Sequence, residues 1–111
     1  MRFLPRDIVL VPFPFTHFDS DKIRPAVIIN KCNPYGDHVV LFLTSQVDKY
    51  KKYKENILIK KSDVNNLLVD SVIITSKFAT LSDAMMHEKI GNLTKMEWDK
   101  LKKQMRLTLG I

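Results

Sequence analysis

Apolar and other residues alternate through the opening of the chain with a period of two, the mark of a strand that buries one face. In D-I-V-L-V-P-F-P-F-T, Val9, Val11, Phe13 and Phe15 share one side, while Pro12 and Pro14 share the other. A proline donates no ladder hydrogen bond, so the far end of this strand is expected at a sheet edge or already leaving the sheet. A polar stretch, H-F-D-S-D-K-I, separates it from R-P-A-V-I-I-N, which predicts a second strand. Pro25 confines Arg24 to extended backbone and fixes where its cationic side chain emerges.

The pattern continues with N-P-Y-G-D at Asn33–Asp37, a turn in which proline presets φ and Gly36 supplies a left-handed position. Val39–Leu43 are apolar on both faces, which predicts a central strand ending at Thr44 and Ser45. Ile57–Ile59 form a short fourth strand whose flanking Lys60 and Lys61 blunt an edge. Leu67, Leu68 and Val69, inside a turn-rich connection, are expected to tuck into the core. Ser71–Thr75 and Lys77–Thr80 read as strand bent at Ser76, and Met85–Ile90 as a last strand.

The period then changes to that of a helix. Thr94 and Glu97 form a capping-box pattern, and Trp98, Leu101, Met105 and Leu109 make one apolar stripe opposite lysines and Arg106. Gly110 closes it. Several short strands without βαβ alternation, followed by one helix, predict a mainly β protein: a small antiparallel barrel with a C-terminal α-helix. At 111 residues, a single domain spanning 1–111 is expected.

Composition narrows the partners. The chain is 45% hydrophobic and 27% charged, as in a soluble globular protein, and its formal net charge is +6, which points to an anionic partner. The single cysteine, Cys32, excludes an intrachain disulfide and a CxxC knuckle; it reads as a small apolar filler near a strand end. No stretch approaches a membrane span and the N-terminus has no uninterrupted signal-peptide core, so the cytoplasm is the expected compartment. Metal-ligand motifs such as HExxH or DxD are absent, no cofactor is expected, and His38 and His87 read as surface residues.

Candidate chemistry falls at strand ends. The guanidinium of Arg24 suits a phosphate clamp, because its fork meets two oxygens and never loses its charge. Thr44 and Ser45 offer hydroxyls to the same anion. The segment Q-V-D-K-Y-K-K-Y-K-E-N interleaves lysines with Tyr50 and Tyr53. It reads either as a solvated loop or as a surface that neutralises phosphates and stacks unpaired bases.

These same pieces carry a resemblance. D-I-V-L-V-P-F-P-F-T with R-P-A-V-I-I-N, then V-V-L-F-L-T-S, S-V-I-I-T-S-K-F-A-T-L and I-G-N-L-T, in that order, resemble the MazF/PemK-type toxins, the ribonuclease halves of bacterial toxin–antitoxin pairs. The resemblance implies an SH3-like β-barrel with a C-terminal helix, working as a homodimer. It also implies metal-independent, sequence-selective cleavage of single-stranded RNA, restrained by a cognate acidic antitoxin. Arg24 stands on the family's R-P arginine and Thr44 on its T-S threonine, both catalytic.

Several members carry an Arg and an Asp where this chain has Ile74 and Ser76, and a Gly where it has Arg6. His17 is the imidazole nearest Arg24 in sequence and the candidate replacement in acid–base work, while Lys77 is the candidate replacement cation. The RNA-binding surface is expected to take in Thr16, Lys22, Ser45, Lys49, Tyr50, Lys52, Ser76 and Lys77. The alternative is a barrel of the same kind that binds RNA or an acidic peptide without cleaving.

Overall fold

The computed structural model describes residues 3–12 and 22–111. Six strands form one antiparallel sheet: β1 (Asp7–Pro12), β2 (Ile23–Ile28), β3 (Asp37–Thr44), β4 (Ile57–Ile59), β5 (Ser71–Ser82) and β6 (Glu88–Asn92). Their spatial order is β4-β5-β3-β2-β1-β6, and the sheet curls into a half-barrel. The run at Val39–Leu43 is therefore central, paired on one side with β2 and on the other with β5. Among the described residues two α-helices accompany the sheet, the single turn α1 (Val47–Tyr50) and the long α2 (Lys95–Leu109).

Both faces of the sheet are buried because it is curled. Along β1 to β3, one phase of the alternation (Ile8, Val27, Leu41, Leu43) joins Ile57, Ile59, Ile73, Leu93 and Leu101 in a core under α2. The opposite phase (Val9, Val11, Ala26, Ile28, Val40, Phe42) packs with Phe3, Leu81 and Met86. The proline rule holds where it can be followed. β6 pairs with Asp7–Leu10 only, so Val11 and Pro12 face a ladder on the β2 side alone. Phe13, Pro14 and Phe15 lie outside the described residues.

The bend expected at Ser76 is a bulge. Between the pairs Leu43↔Ile73 and Leu41↔Phe78, β3 contributes only Phe42 while β5 contributes Ile74, Thr75, Ser76 and Lys77. A strand with surplus residues must pouch outward there, which turns Ile74 and Lys77 toward the end of β3. Helix α2 starts as its capping box requires: the Thr94 hydroxyl accepts from Glu97 N–H at 3.1 Å and Glu97 Oε1 accepts from Thr94 N–H at 2.8 Å. Gly110 ends it at φ 72°.

Four expectations fail. Leu68 and Val69 do not tuck in: they are 90% and 51% exposed, and only Leu67 reaches the core. The turn's interior is organised by buried Asn65 instead, whose amide oxygen accepts from Ser62 and Leu67 N–H while its NH2 donates to Lys60 O. The last strand starts later than Met85, because Asp83–Met85 form a 3-10 turn and β6 begins at Glu88. His38 is fully buried, because it shares the strand phase of Val40 and Phe42 that faces the second core. Cys32, conversely, is exposed beyond the end of β2.

Arg6, where a glycine was expected from the resemblance, adopts φ 81°. A side chain in that left-handed region is strained by roughly 1–3 kcal/mol. Local bonds hold it there: Arg6 N–H donates to Ile28 O, its carbonyl accepts from Leu93 N–H, and its Nε donates to Leu93 O at 3.1 Å.

Candidate active site

The C-terminal end of β3, the start of β2, the β5 bulge and α1 enclose a cleft of about 190 Å3. Arg24, Thr44, Gln46, Lys49, Tyr50 and Lys77 line it, with Phe42, Leu43 and Ile74 as its apolar walls. Each cation arrives by a different device. Arg24 comes from the second residue of β2, opposite Val11 and next to Pro25. Lys77 comes from the last residue of the bulge, and Lys49 from α1.

Thr44 is 9% exposed, and its Oγ1 accepts a hydrogen bond from Gln46 N–H at 3.1 Å. That bond caps the turn after the strand. Accepting uses a lone pair and fixes the hydroxyl, so its proton remains available to a ligand oxygen. Gln46, missed by sequence reasoning, lines the same cleft; its only signal was its position two residues beyond Thr44.

Among the described residues, no carboxylate or imidazole lines the cleft. Three cations, a buried hydroxyl and an amide around a space holding roughly six water volumes of ~30 Å3 each define a phosphate-sized anion site. Tyr50 is held by its backbone: Asn56 Nδ2 donates to Tyr50 O at 3.1 Å. Lysines already cover the tyrosine rings, with Lys49 Nζ 5.3 Å from the Tyr50 centroid and Lys52 Nζ 5.5 Å from that of Tyr53.

The remaining expected residues are elsewhere. Ser45, exposed, lines a neighbouring groove of about 630 Å3 instead. Exposed Leu68 and Val69 line that groove with Leu10, Ile23 and Ile90, and it shares Arg24 and Leu43 with the cleft. Lys22, Lys52 and Ser76 are exposed and line neither. Thr16 and His17 lie outside the described residues. Ile74 is 7% exposed and forms the cleft wall, so it contributes shape and no charge.

A curled antiparallel sheet with a C-terminal helix and a cation-lined cleft at one strand end defines a small half-barrel protein of mainly β class. Residues 5–109 match the model of the PemK-like, MazF-like toxin of type II toxin–antitoxin systems, and the chain belongs to that family. No curated protein sequence matches it. Solved structures agree in fold. A mycobacterial endoribonuclease in complex with its cognate antitoxin superposes with TM-score 0.77 at 14% identity, over 98% of this chain and 96% of that one. MazF of Deinococcus radiodurans gives TM-score 0.77 at 15% identity, over 100% and 99% of the two chains. The Mycobacterium tuberculosis toxin MazF-mt6 gives 0.73 at 18%, over 96% and 98%.

Proposed function

We propose that this chain is a metal-independent, sequence-selective endoribonuclease acting on single-stranded RNA, the toxin of a toxin–antitoxin pair. One observation carries the reading: Arg24, Thr44, Lys49 and Lys77 share one phosphate-sized cleft. Cleavage proceeds by attack of the 2′-oxygen on the adjacent phosphorus, with loss of the 5′-oxygen of the next nucleotide. Charge on the phosphoryl oxygens grows in the transition state, and Arg24 with the Thr44 hydroxyl are placed to meet it. Lys49 and Lys77 neutralise the flanking backbone.

The proton of the 2′-hydroxyl needs an acceptor that the described lining does not supply, and that role is assigned to His17. The departing 5′-oxygen takes its proton from solvent water, so the products are a 2′,3′-cyclic phosphate and a 5′-hydroxyl. The groove beside the cleft, apolar and open, suits a base next to the scissile phosphate.

The same basic and apolar surface suits an acidic, extended antitoxin tail, so RNA and antitoxin compete for it. The enzyme acts in the cytoplasm as a homodimer. Three observations support these parts: the family is one of toxin–antitoxin systems, one similar structure is of an endoribonuclease with its antitoxin, and no helix among the described residues is long and apolar enough to cross a membrane.

Ile74 in the cleft wall favours one other reading, a barrel that binds RNA without cutting it. Incubation with a long RNA in EDTA, with mapping of both ends, separates the two. Cyclic phosphate and 5′-hydroxyl ends support the enzyme; intact RNA that is nevertheless bound supports the binder. Strict need for Mg2+ or 5′-phosphate ends would refute the mechanism. A competition titration with labelled, non-cleavable RNA tests the shared surface, and a ternary complex would refute it. Sedimentation of the free protein tests the dimer.

A further inference from the structure

At the opposite end of β3 from the cleft, three side chains from distant parts of the chain meet. Cys32 follows β2, His38 is the second residue of β3, and Asp83 opens the 3-10 turn after β5. One donor atom from each lies within 4.8 Å of the others. The spacing of these residues, six positions and then forty-five, matches no sequence pattern for a metal. The fold alone assembles them.

The imidazole shows what the cluster wants. His38 is fully buried, and its Nδ1 is 3.2 Å from the carbonyl oxygen of Asn30. A carbonyl only accepts, so Nδ1 carries a proton, and whenever the ring is neutral Nε2 presents its lone pair. That lone pair lies 2.8 Å from Asp83 Oδ1, without the alignment of a hydrogen bond. Two electron-rich atoms so close share a positive centre, either a proton on Nε2 or a metal ion beside them. On the other side of the carboxylate, Cys32 Sγ stands 3.6 Å from Oδ2.

We propose that Cys32, His38 and Asp83 form a zinc-class metal site, separate from RNA cleavage. Mixed sulfur, nitrogen and oxygen donors suit Zn2+ or Co2+ and not the hard cations Mg2+ or Ca2+. Tetrahedral zinc with bonds of 2.0–2.3 Å separates its donors by about 3.3–3.6 Å. The thiol–carboxylate spacing already fits, and the imidazole–carboxylate contact has to open by about half an ångström. Asp83 has the freedom to make that move, since its side chain is 46% exposed. A backbone carbonyl holding the far nitrogen is the usual support for a ligating histidine.

The scaffold around the site is rigid. Asp83 N–H donates to Gly36 O, Asn33 Oδ1 accepts from Tyr35 and Asp37 N–H, and Asn30 Oδ1 accepts from Val39 N–H at 2.7 Å. With three protein donors, a bound metal would take its fourth ligand from water. Six residues of strand at ~3.4 Å each place His38 about 20 Å from Thr44, so the metal has no part in the cleft's chemistry.

The test is titration of the full chain, stripped with EDTA and reduced, with Co2+. One equivalent should bind, giving thiolate-to-cobalt charge-transfer absorption and the intense visible bands of tetrahedral cobalt, and Zn2+ should displace it. Cys32→Ser and Asp83→Asn change exposed side chains and should leave the fold intact. Each should weaken binding by at least ~10²-fold, more than the roughly 10–100-fold that loss of an outer hydrogen-bond partner costs. Cys32→Ser should also abolish the charge-transfer band. The wild type should gain melting temperature with Zn2+ and the variants should not. Absence of a saturable band, an unchanged band in Cys32→Ser, or half an equivalent of metal bridging two chains would each overturn the site. So would equal binding by Asp83→Asn, which would leave the His38–Asp83 pair bridged by a proton alone.

Discussion

Replacing Arg24 tests the cleft most directly. In the ground state an RNA phosphodiester carries one negative charge, and the pentacovalent state carries about one more on its non-bridging oxygens. At a 4 Å separation and an effective dielectric of ~20, each charge pair is worth about 4 kcal/mol. Arg24 is only partly buried, so solvent screens some of this, and the two remaining cations, Lys49 and Lys77, take up part of the rest. A differential loss of about 3 kcal/mol remains, within the range found for removal of one transition-state donor. That is roughly 10²-fold in kcat/KM, since each ~1.4 kcal/mol is tenfold.

Arg24→Lys separates charge from shape. An ammonium restores the charge but not the two-pronged bond, so it should recover about tenfold of the loss and no more. The assay is cleavage of a fluorogenic single-stranded RNA in EDTA, with melting curves run in parallel. Rates equal to wild type in Arg24→Ala, with an unchanged melt, would show that the phosphate does not bind here. Equal rates for Lys and Arg would show that charge alone matters and the fork geometry is irrelevant.

Other expectations follow from particular contacts. His17→Ala should lower kcat by about 10²-fold or more while RNA binding persists; an unchanged rate would remove His17 from the reaction. Gly91→Ala should cost about 1–3 kcal/mol in urea unfolding, because a Cβ there would stand 2.6 Å from Asn65 O and closer still to Val64 O, both rigid backbone atoms. Thr94→Ala should cost about 1 kcal/mol by opening the capping box of α2. Arg6→Gly should be more stable than Arg6→Ala by about 1 kcal/mol, since both lose the bond to Leu93 but only glycine relieves the positive φ.

What was legible in the sequence was what neighbouring residues determine. The alternation in β1 to β3, the capping box at Thr94 and the edge character of Pro12 are local rules, and the structure obeys them. The cleft was half legible. Arg24 and Thr44 stood at strand ends, but the route by which Lys77 reaches them is a bulge in β5, and a bulge depends on register with β3. Lys52 and Ser76 shared the right segments yet project elsewhere, because one residue of phase decides the face. His38 was misread as a surface residue, although its phase with Val40 and Phe42 already placed it inside. Leu68 and Val69 were misread for the opposite reason: apolar character does not oblige a turn residue to bury when an asparagine holds the turn. The meeting of Cys32 with Asp83, fifty-one positions apart, belongs to tertiary structure alone.

The stretch from Lys49 to Asn56 looks, by composition, like a solvated lysine tail, yet it is tethered at several points. Buried Thr75 donates from its hydroxyl to Glu55 O at 2.8 Å and from its backbone N–H to Asn56 Oδ1. Asn56 in turn holds Tyr50 O, Gln104 of α2 holds Lys54 O, and Thr108 of α2 is 3.2 Å from the Thr75 hydroxyl. A ligand that settled on a loose tail would have to freeze its backbone at ~1–2 kcal/mol per residue, whereas here only side-chain freedom remains to be lost. The C-terminal half of α2 thus acts on recognition as a splint. Loosening it, for example by Gln104→Ala with Thr108→Val, should weaken RNA affinity through entropy while every residue of the cleft stays in place.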